Sequence, residues 1–479
     1  MQNKQKKFAW ATAGALVGAV LTLSISAVAE REATAPLPLS ELRTFAEVFG
    51  RIKQDYVEPV QDKKLISDAI NGMLSGLDPH SAYLDADAFK ELREGTQGEF
   101  GGLGIEIGME DGLVKVISPI EDTPAERAGL KSGDLISKID ETAVRGMTTT
   151  DAVKRMRGKP GTKIVLTVIR KSESRTFTVS LTRAVIKTRS VRFKLLESGY
   201  GYVRIAQFQE RTVENLADGL ASLYKENKAD LKGLILDLRD DPGGLLNAAV
   251  GVSAAFLPQD TLVVYTEGRA PDSKMRLTTN PTNYARDERQ TDYFAKLPAS
   301  LKQLPLVVLV NAGSASASEI VAGALQDHKR AVIVGTQSFG KGSVQSILPL
   351  GSVGGIKLTT AHYYTPSGRS IQAKGITPDV IVEDPPIARA DGQTTMPSRM
   401  READLEHHLN NPKDGSGKPT APKAESEPRS KTGGDSKDKG SSEAFNPRDP
   451  NPKTDPQLGQ ALNILKVQRI LESKKPASE

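Results

Sequence analysis

Pro305-Leu306-Val307-Val308-Leu309-Val310, followed by Gly313-Ser314-Ala315-Ser316-Ala317-Ser318-Glu319-Ile320, is the stretch on which the fold turns. The apolar run reads as a buried strand. Ile320, Val321, Ala324 and Leu325 then recur on one face of a helix. A serine in the intervening turn has its hydroxyl beside free backbone N–H groups at the positive end of the helix dipole. Ser316 with Glu319 also forms a capping box, which any such helix can use. Spacing alone does not choose among Ser314, Ser316 and Ser318. Downstream lies Phe339-Gly340-Lys341-Gly342-Ser343-Val344-Gln345, a lysine between two glycines whose loop can pass close to the serine turn.

The 479 residues allow two to four domains. Hydrophobic residues make up 38% and aromatics 5%, low for one compact globule, so part of the chain is expected to be unpacked. The net charge of +5 has mixed signs and no basic stripe with interleaved aromatics, which argues against a nucleic-acid partner. Without cysteine there is no thiol catalysis, disulfide or cysteine–metal site. Nothing in the sequence calls for a metal or cofactor.

Lys4, Lys6 and Lys7 precede an apolar segment from Phe8 to Val28 that ends in Ala27-Val28-Ala29, the pattern of an export signal over residues 1–29. An uncleaved anchor in the inner membrane is the alternative, because the segment approaches spanning length. Residues 30–95 are expected to be helical: Phe45, Val48, Phe49, Ile52 and Tyr56, then Ile66, Ile70, Met73 and Leu74, follow helical spacing until Leu77-Asp78-Pro79-His80-Ser81 breaks it. His80 reads as a turn residue.

Residues 96–185 form a separate unit. Phe100-Gly101-Gly102-Leu103-Gly104-Ile105-Glu106-Ile107 is a glycine loop entering an alternating strand. A helix over Thr149–Met156 and a strand over Lys163–Arg170 follow. This resembles a PDZ domain, in which the amides of Gly102, Leu103, Gly104 and Ile105 would cradle a terminal carboxylate while the free strand edge accepts a peptide. Residues 186–385 alternate strands and helices, the mark of layered α/β packing. Arg269 to Asp292 reads as a surface excursion. Residues 386–457 are too poor in apolar side chains to offset their ordering entropy and read as a disordered tail. Residues 458–479 regain helical period through Leu458, Leu462 and Leu465 and read as a docking helix.

A serine needs a base. His328 lies twelve residues along a helix, about 18 Å from Ser316, and His362 lies in a strand. A histidine triad on either stays open, but Lys341 is the stronger candidate. Gln345 would reach the lysine if the segment were a helical turn, about 6 Å between Cβ atoms, and would miss it at about 13 Å if extended. A neutral amide can hold a lysine without stabilising its charge. Backbone N–H groups of Gly243 and Gly244, with that of Ala317, would form an oxyanion hole.

Together, LDPHSAYL (77–84), the PDZ-like unit, LRDDPGG (238–244), GSASASE (313–319), FGKGSVQ (339–345) and YYTPSGRSIQ (363–372) make the chain resemble the carboxyl-terminal processing peptidases, also called tail-specific proteases, over about Leu39 to Asp384. The resemblance implies a multidomain α/β protein with a crotonase-like protease core, an inserted PDZ domain that captures and gates, and a helical N-terminal region. It picks Ser316 as nucleophile, Lys341 as general base and Gln345 as its positioner. It further implies a serine endopeptidase of the bacterial periplasm that takes proteins or peptides with apolar C-termini and self-associates through its terminal helical regions. Relatives in Gram-negative bacteria work with lipoprotein adaptors, a partner expected here by analogy. Asp241 stands where many relatives have Asn. The competing expectation is a PDZ scaffold whose core binds a ligand and cuts nothing, since a fold does not dictate chemistry.

Overall fold

The computed structural model describes residues 37–120, 122–285, 292–351, 353–383, 387–388, 394–395, 400–414 and 449–473. The expected signal segment lies outside them, as does most of the expected tail. The chain divides into two compact units, residues 1–70 and 71–479. The first contains the helix Leu39–Asp55, whose Leu42, Phe45, Val48 and Ile52 stay exposed, and the start of the helix Asp62–Ser75.

The second unit is built on a six-stranded sheet. Its strands, in spatial order, are Val191–Glu197, Tyr200–Ile205, Gly233–Asp237, Leu306–Val310, Val332–Gly335 and Val380–Ile381. The first pair is antiparallel and the rest are parallel. Parallel strands need crossovers, here the helices Thr212–Asn227, Leu246–Ala254 and Ala317–Asp327. Leu234, Leu236, Val308 and Val310 pack against those helices. Ile235, Val307 and Leu309 face the other way, onto Leu458, Ala461, Leu462 and Leu465. A strand covered on both faces reads as an unbroken apolar run, as Pro305–Val310 does.

That second cover corrects the reading of the C-terminus. The helix Pro456–Ser473 packs on its own sheet rather than waiting for a partner. Each of its buried leucines contributes about 1.5–3 kcal/mol. Arg239 reinforces it with a bidentate bond to Asp455, at 3.0 and 2.7 Å. Within the expected tail, residues 400–414 are folded too, with Glu402 and Asn411 buried. Polar contacts, which composition does not reveal, anchor them. The Arg269–Asp292 stretch is also more than an excursion: Arg276–Thr278 pairs with Leu262–Gly268, and Tyr284 is buried.

A second, antiparallel sheet joins Ser343–Pro349, Gly354–Tyr364, Leu262–Gly268, Arg276–Thr278 and Ala82–Asp85. The last strand belongs to the LDPHSAYL stretch, which therefore breaks its helical pattern in order to join the core. Between the helix Ala86–Gln97 and the first sheet sits the inserted unit, entered and left through the strand pair Glu99–Gly102 and Ala184–Lys187. It has its own apolar core. A buried Asp134–Arg170 pair, with bonds of 2.7 and 2.8 Å, ties the turn before the strand Leu135–Ile139 to the end of the strand Lys163–Arg170. Its helix Thr149–Met156 and strand Lys163–Arg170 have the expected bounds.

Candidate active site

Ser316 sits between the buried strand Leu306–Val310 and the helix Ala317–Asp327, with φ 56° and ψ −111°. A non-glycine residue there costs roughly 1–3 kcal/mol and persists only when its surroundings over-determine it. The surroundings do. Ser314 Oγ accepts from Asn311 N at 2.9 Å and donates to Leu238 O at 2.8 Å. Ser318 Oγ donates to Asp241 O at 3.0 Å, and Ala315 N donates to the same carbonyl. The Glu319 carboxylate accepts from Ser316 N at 2.7 Å. Ser314 and Ser318 are thus wholly buried and committed to backbone, while Ser316 is part-exposed.

The same Glu319 carboxylate reaches the lysine loop. It accepts from Gly340 N at 2.7 Å, Lys341 N at 2.9 Å and Ser338 Oγ at 2.6 Å. Burial pushes its pKa up to about 7, against those bonds. Lys341 Nζ donates to Gln345 Oε1 at 2.5 Å and to Ser343 O at 3.1 Å. It makes no hydrogen bond to Ser316 Oγ among the described residues. Its pKa is pushed down to about 8, first by burial and then by the Lys357 charge, with Glu402, Glu319 and Asp78 opposing. The buried Tyr363 phenol donates to the Lys341 carbonyl and also interacts with the Ser316 side chain.

The Lys341–Gln345 contact exists, but not through a helical turn. Ser343–Pro349 is a strand, with an irregularity in its pairing between Val344 and Gln345. The glycine-flanked loop and the long lysine stem span the gap that an ideal strand would leave. Gln345 Nε2 donates to Ser343 Oγ and Thr359 Oγ1, both at 3.1 Å, which leaves Oε1 for the amine. Thr359 Oγ1 in turn donates to Asp78 Oδ1 at 3.0 Å. Burial works against the Asp78 charge, but bonds from Ser81, His80 and Thr359 outweigh it and hold the carboxyl below its usual range.

Sequence reasoning missed Asp78 and Thr359 and left His80 as a turn residue. His80 Nε2 meets the Glu402 carboxylate at 2.8 Å. The available signal was Asp78 itself, an acid whose Asx turn onto Ser81 marks an ordered corner. Of the other histidines, His328 Nε2 bonds the Leu262 carbonyl at 2.7 Å. The ring of His362 lies by the Gly342 carbonyl, and burial lowers its pKa. Neither bonds Ser316.

Gly243 lies against the serine turn. A Cβ there would stand 2.6 Å from Ala315 O, 2.8 Å from Ala317 N and 2.9 Å from Ser316 Cβ, so only glycine fits. Its N–H, expected to face an oxyanion, instead donates to Asp241 Oδ1 at 2.8 Å. A nearer acceptor in its own turn has taken it. The N–H groups of Gly244 and Ala317 have no partner among the described residues. Phe208 brackets the glycines, donating to Gly243 O and accepting from Leu245 N, both at 2.9 Å. Next to it, Gln209 donates to Gly95 O at 3.1 Å and accepts from Thr188 Oγ1 at 3.2 Å, at the two ends of the inserted unit.

Within that unit Gly102 ends the entry strand, Leu103 is buried, Gly104 has φ 78°, and Ile105 opens Ile105–Glu110. That strand is the terminal one of its sheet, so one edge is unpaired among the described residues, as peptide addition needs.

The chain matches the family model for peptidase family S41 over residues 199–382, for the PDZ domain over 101–181 and for the N-terminal domain of the activating protease CtpB over 11–88. It is 45% identical to a carboxy-terminal-processing protease of Bartonella bacilliformis over 428 residues, 89% of this chain and 88% of that one. It is 34% identical to the carboxy-terminal processing protease CtpB of Bacillus subtilis, over 76% of this chain and 72% of that one. Among solved structures, the photosystem II D1 C-terminal processing protease is 31% identical, covering 71% of this chain and 86% of that one with a TM-score of 0.39. The chain belongs to the carboxy-terminal processing proteases of family S41 and is a serine protease that carries a PDZ domain.

Proposed function

We propose that this protease is a periplasmic endopeptidase working through a Ser316–Lys341 dyad on a crotonase-like core. Its PDZ domain would receive apolar substrate C-termini at Gly102–Ile105, and self-association and a lipoprotein adaptor complete the proposal. The observation that carries the dyad is that, among the described residues, the Lys341 amine bonds only neutral partners, Gln345 Oε1 and Ser343 O, in a buried setting. A base must be unprotonated, and burial lowers a lysine's pKa. Neutral Lys341 swings from Gln345 to take the Ser316 proton as Oγ attacks the scissile carbonyl. The resulting oxyanion is met by the Ala317 and Gly244 N–H groups, and Gly243 joins them when Asp241 releases it. The Lys341 ammonium then protonates the leaving amine, and the neutral lysine activates the water that frees the acyl group.

The test is cleavage of casein by wild type, Ser316→Ala and Lys341→Arg. Arginine keeps charge and length but cannot give up its proton. Both variants should be inactive while folded, and the wild-type rate should climb through about pH 8 and then level off. A folded Lys341→Arg enzyme within about tenfold of wild type, some 1.4 kcal/mol in barrier, would rule out the dyad and turn attention to His362.

A further inference from the structure

We infer that Glu402, on the folded segment 400–414 beyond the S41 match, is a positioning residue for Lys341: it grips both flanks of the lysine loop and brings a buried carboxylate to it. On one flank, Glu402 N donates to Phe339 O at 3.0 Å. On the other, Glu402 Oε1 accepts from Gln372 Nε2 at 2.9 Å, and Gln372 Oε1 accepts from Gly342 N at 2.9 Å. His80 Nε2 meets the same carboxylate, at 2.8 Å to Oε2 and 3.1 Å to Oε1. Glu402 and Gln372 are both wholly buried.

The rest of the segment supports this grip. Leu409 O accepts from Gln372 Nε2 at 3.0 Å, and Asn411 Nδ2 donates to Gln372 O at 2.8 Å. A buried carboxylate is costly unless paired and hydrogen-bonded, and simple packing of a loop would not require one. Its placement answers a catalytic demand. The lysine must be neutral to accept the serine proton and then charged to donate to the leaving amine, so its pKa must stay near the working pH. Burial and Lys357 drive that pKa down. Glu402 opposes them, together with Glu319 from the serine helix and Asp78 from the LDPHSAYL turn. His362 and Tyr363 are further titratable neighbours of the loop, and Lys374 and Arg401 adjoin residues bonded to it.

The inference rests on the dyad reading for its role in catalysis, so the test separates the two. In an inactive Ser316→Ala background, lysines carrying a 13C label at Cε are titrated by NMR, with the Lys341 signal assigned by its loss in Lys341→Arg. Adding Glu402→Gln should lower the Lys341 pKa by about half a unit or more. In the active enzyme, the same substitution should move the acid limb of kcat/KM to lower pH by the same amount and cut plateau kcat about tenfold, with KM changed less than twofold. A Lys341 titration unmoved by Glu402→Gln overturns the inference, whatever happens to stability. A titration that moves while the acid limb stays put upholds the placement of Glu402 and rejects Lys341 as base. If Glu402→Gln does not fold, Gln372→Met decides. It cuts the link to Gly342 without removing charge, and should lower kcat about tenfold with the acid limb in place. Wild-type kcat in that variant overturns the inference.

Discussion

The backbone N–H groups of Ser316 and Lys341 converge on one acceptor, the Glu319 carboxylate, at 2.7 and 2.9 Å. The nucleophile turn and the lysine loop are therefore fixed relative to each other by a side chain that need not touch substrate. Glutamine at 319 would be nearly isosteric but would turn an N–H₂ toward backbone donors. Glu319→Gln should lower kcat about a hundredfold, the scale of a misplacement near 1 Å, with little effect on KM. Steady-state kinetics on a casein-derived peptide checks this; equal kcat would mean that the shared acceptor is incidental.

The three serines of the turn should separate cleanly. Ser314 bridges Asn311 N and Leu238 O in a fully buried position. Removing its hydroxyl orphans both groups at about 1–3 kcal/mol each. Ser314→Ala should lower the unfolding midpoint markedly while the surviving folded enzyme still cleaves. Ser316→Ala should do the reverse, abolishing cleavage with a smaller loss of midpoint, because Ser316 is part-exposed and gives up a capping contact with the Glu319 backbone and a contact with Tyr363 rather than two buried backbone bonds. Urea unfolding alongside an activity assay reads both. A stable, inactive Ser314→Ala would move the nucleophile assignment.

The strand–turn–helix at 305–327 was legible because a strand covered on both faces must be apolar throughout, and because Ser316 and Glu319 carry a local capping signal. Gln345 was named for the right contact with the wrong geometry: a lysine stem is long enough to make i, i+4 contact across a loop and a strand irregularity. Asp78–Thr359 lay beyond reach, since those partners are 281 residues apart and single polar residues carry no period. Glu402 and Asn411 were lost for a related reason. Disorder was inferred from missing apolar residues, whereas hydrogen bonds and one buried charge anchor that segment.

The C-terminal helix makes a prediction opposite to that of a docking element. Asp455 is buried on Arg239, at the start of the LRDDPGG loop. Asp455→Ala leaves a buried guanidinium short of one partner, a change of about 3 kcal/mol. Truncation before residue 449 also bares Tyr202, Ile235, Val307 and Leu309. The truncated protein should unfold at lower temperature and aggregate. Calorimetry with light scattering tells this apart from a helix that serves only assembly, whose loss would change oligomer size and leave the unfolding transition in place.

Asp241 offers a pH signature of its own. Its carboxyl is wholly buried; Oδ1 holds Gly243 N, and Oδ2 has no partner among the described residues. Burial pushes its pKa up to about 8, from 3.8 when exposed. The folded state therefore binds the Asp241 proton more tightly than the unfolded state does. Its contribution to stability is complete below about pH 3.8 and is lost progressively as pH rises to about 8. Asparagine keeps the acceptor for Gly243 and puts an N–H₂ where the orphan oxygen stood, with nothing to ionise. The unfolding free energy of Asp241→Asn should therefore exceed that of wild type by a margin that widens between about pH 4 and about pH 8 and is level above it. Every other titrating group is common to both proteins, so the difference isolates this one carboxyl. The acid limb of the rate profile, which belongs to Lys341 in the proposed mechanism, should stay in place in the variant. A stability difference that is flat with pH would mean that Asp241 is already ionised in the fold throughout, paired through a water or a movement of Arg204, and that the glycine loop carries a fixed negative charge beside the proposed oxyanion hole.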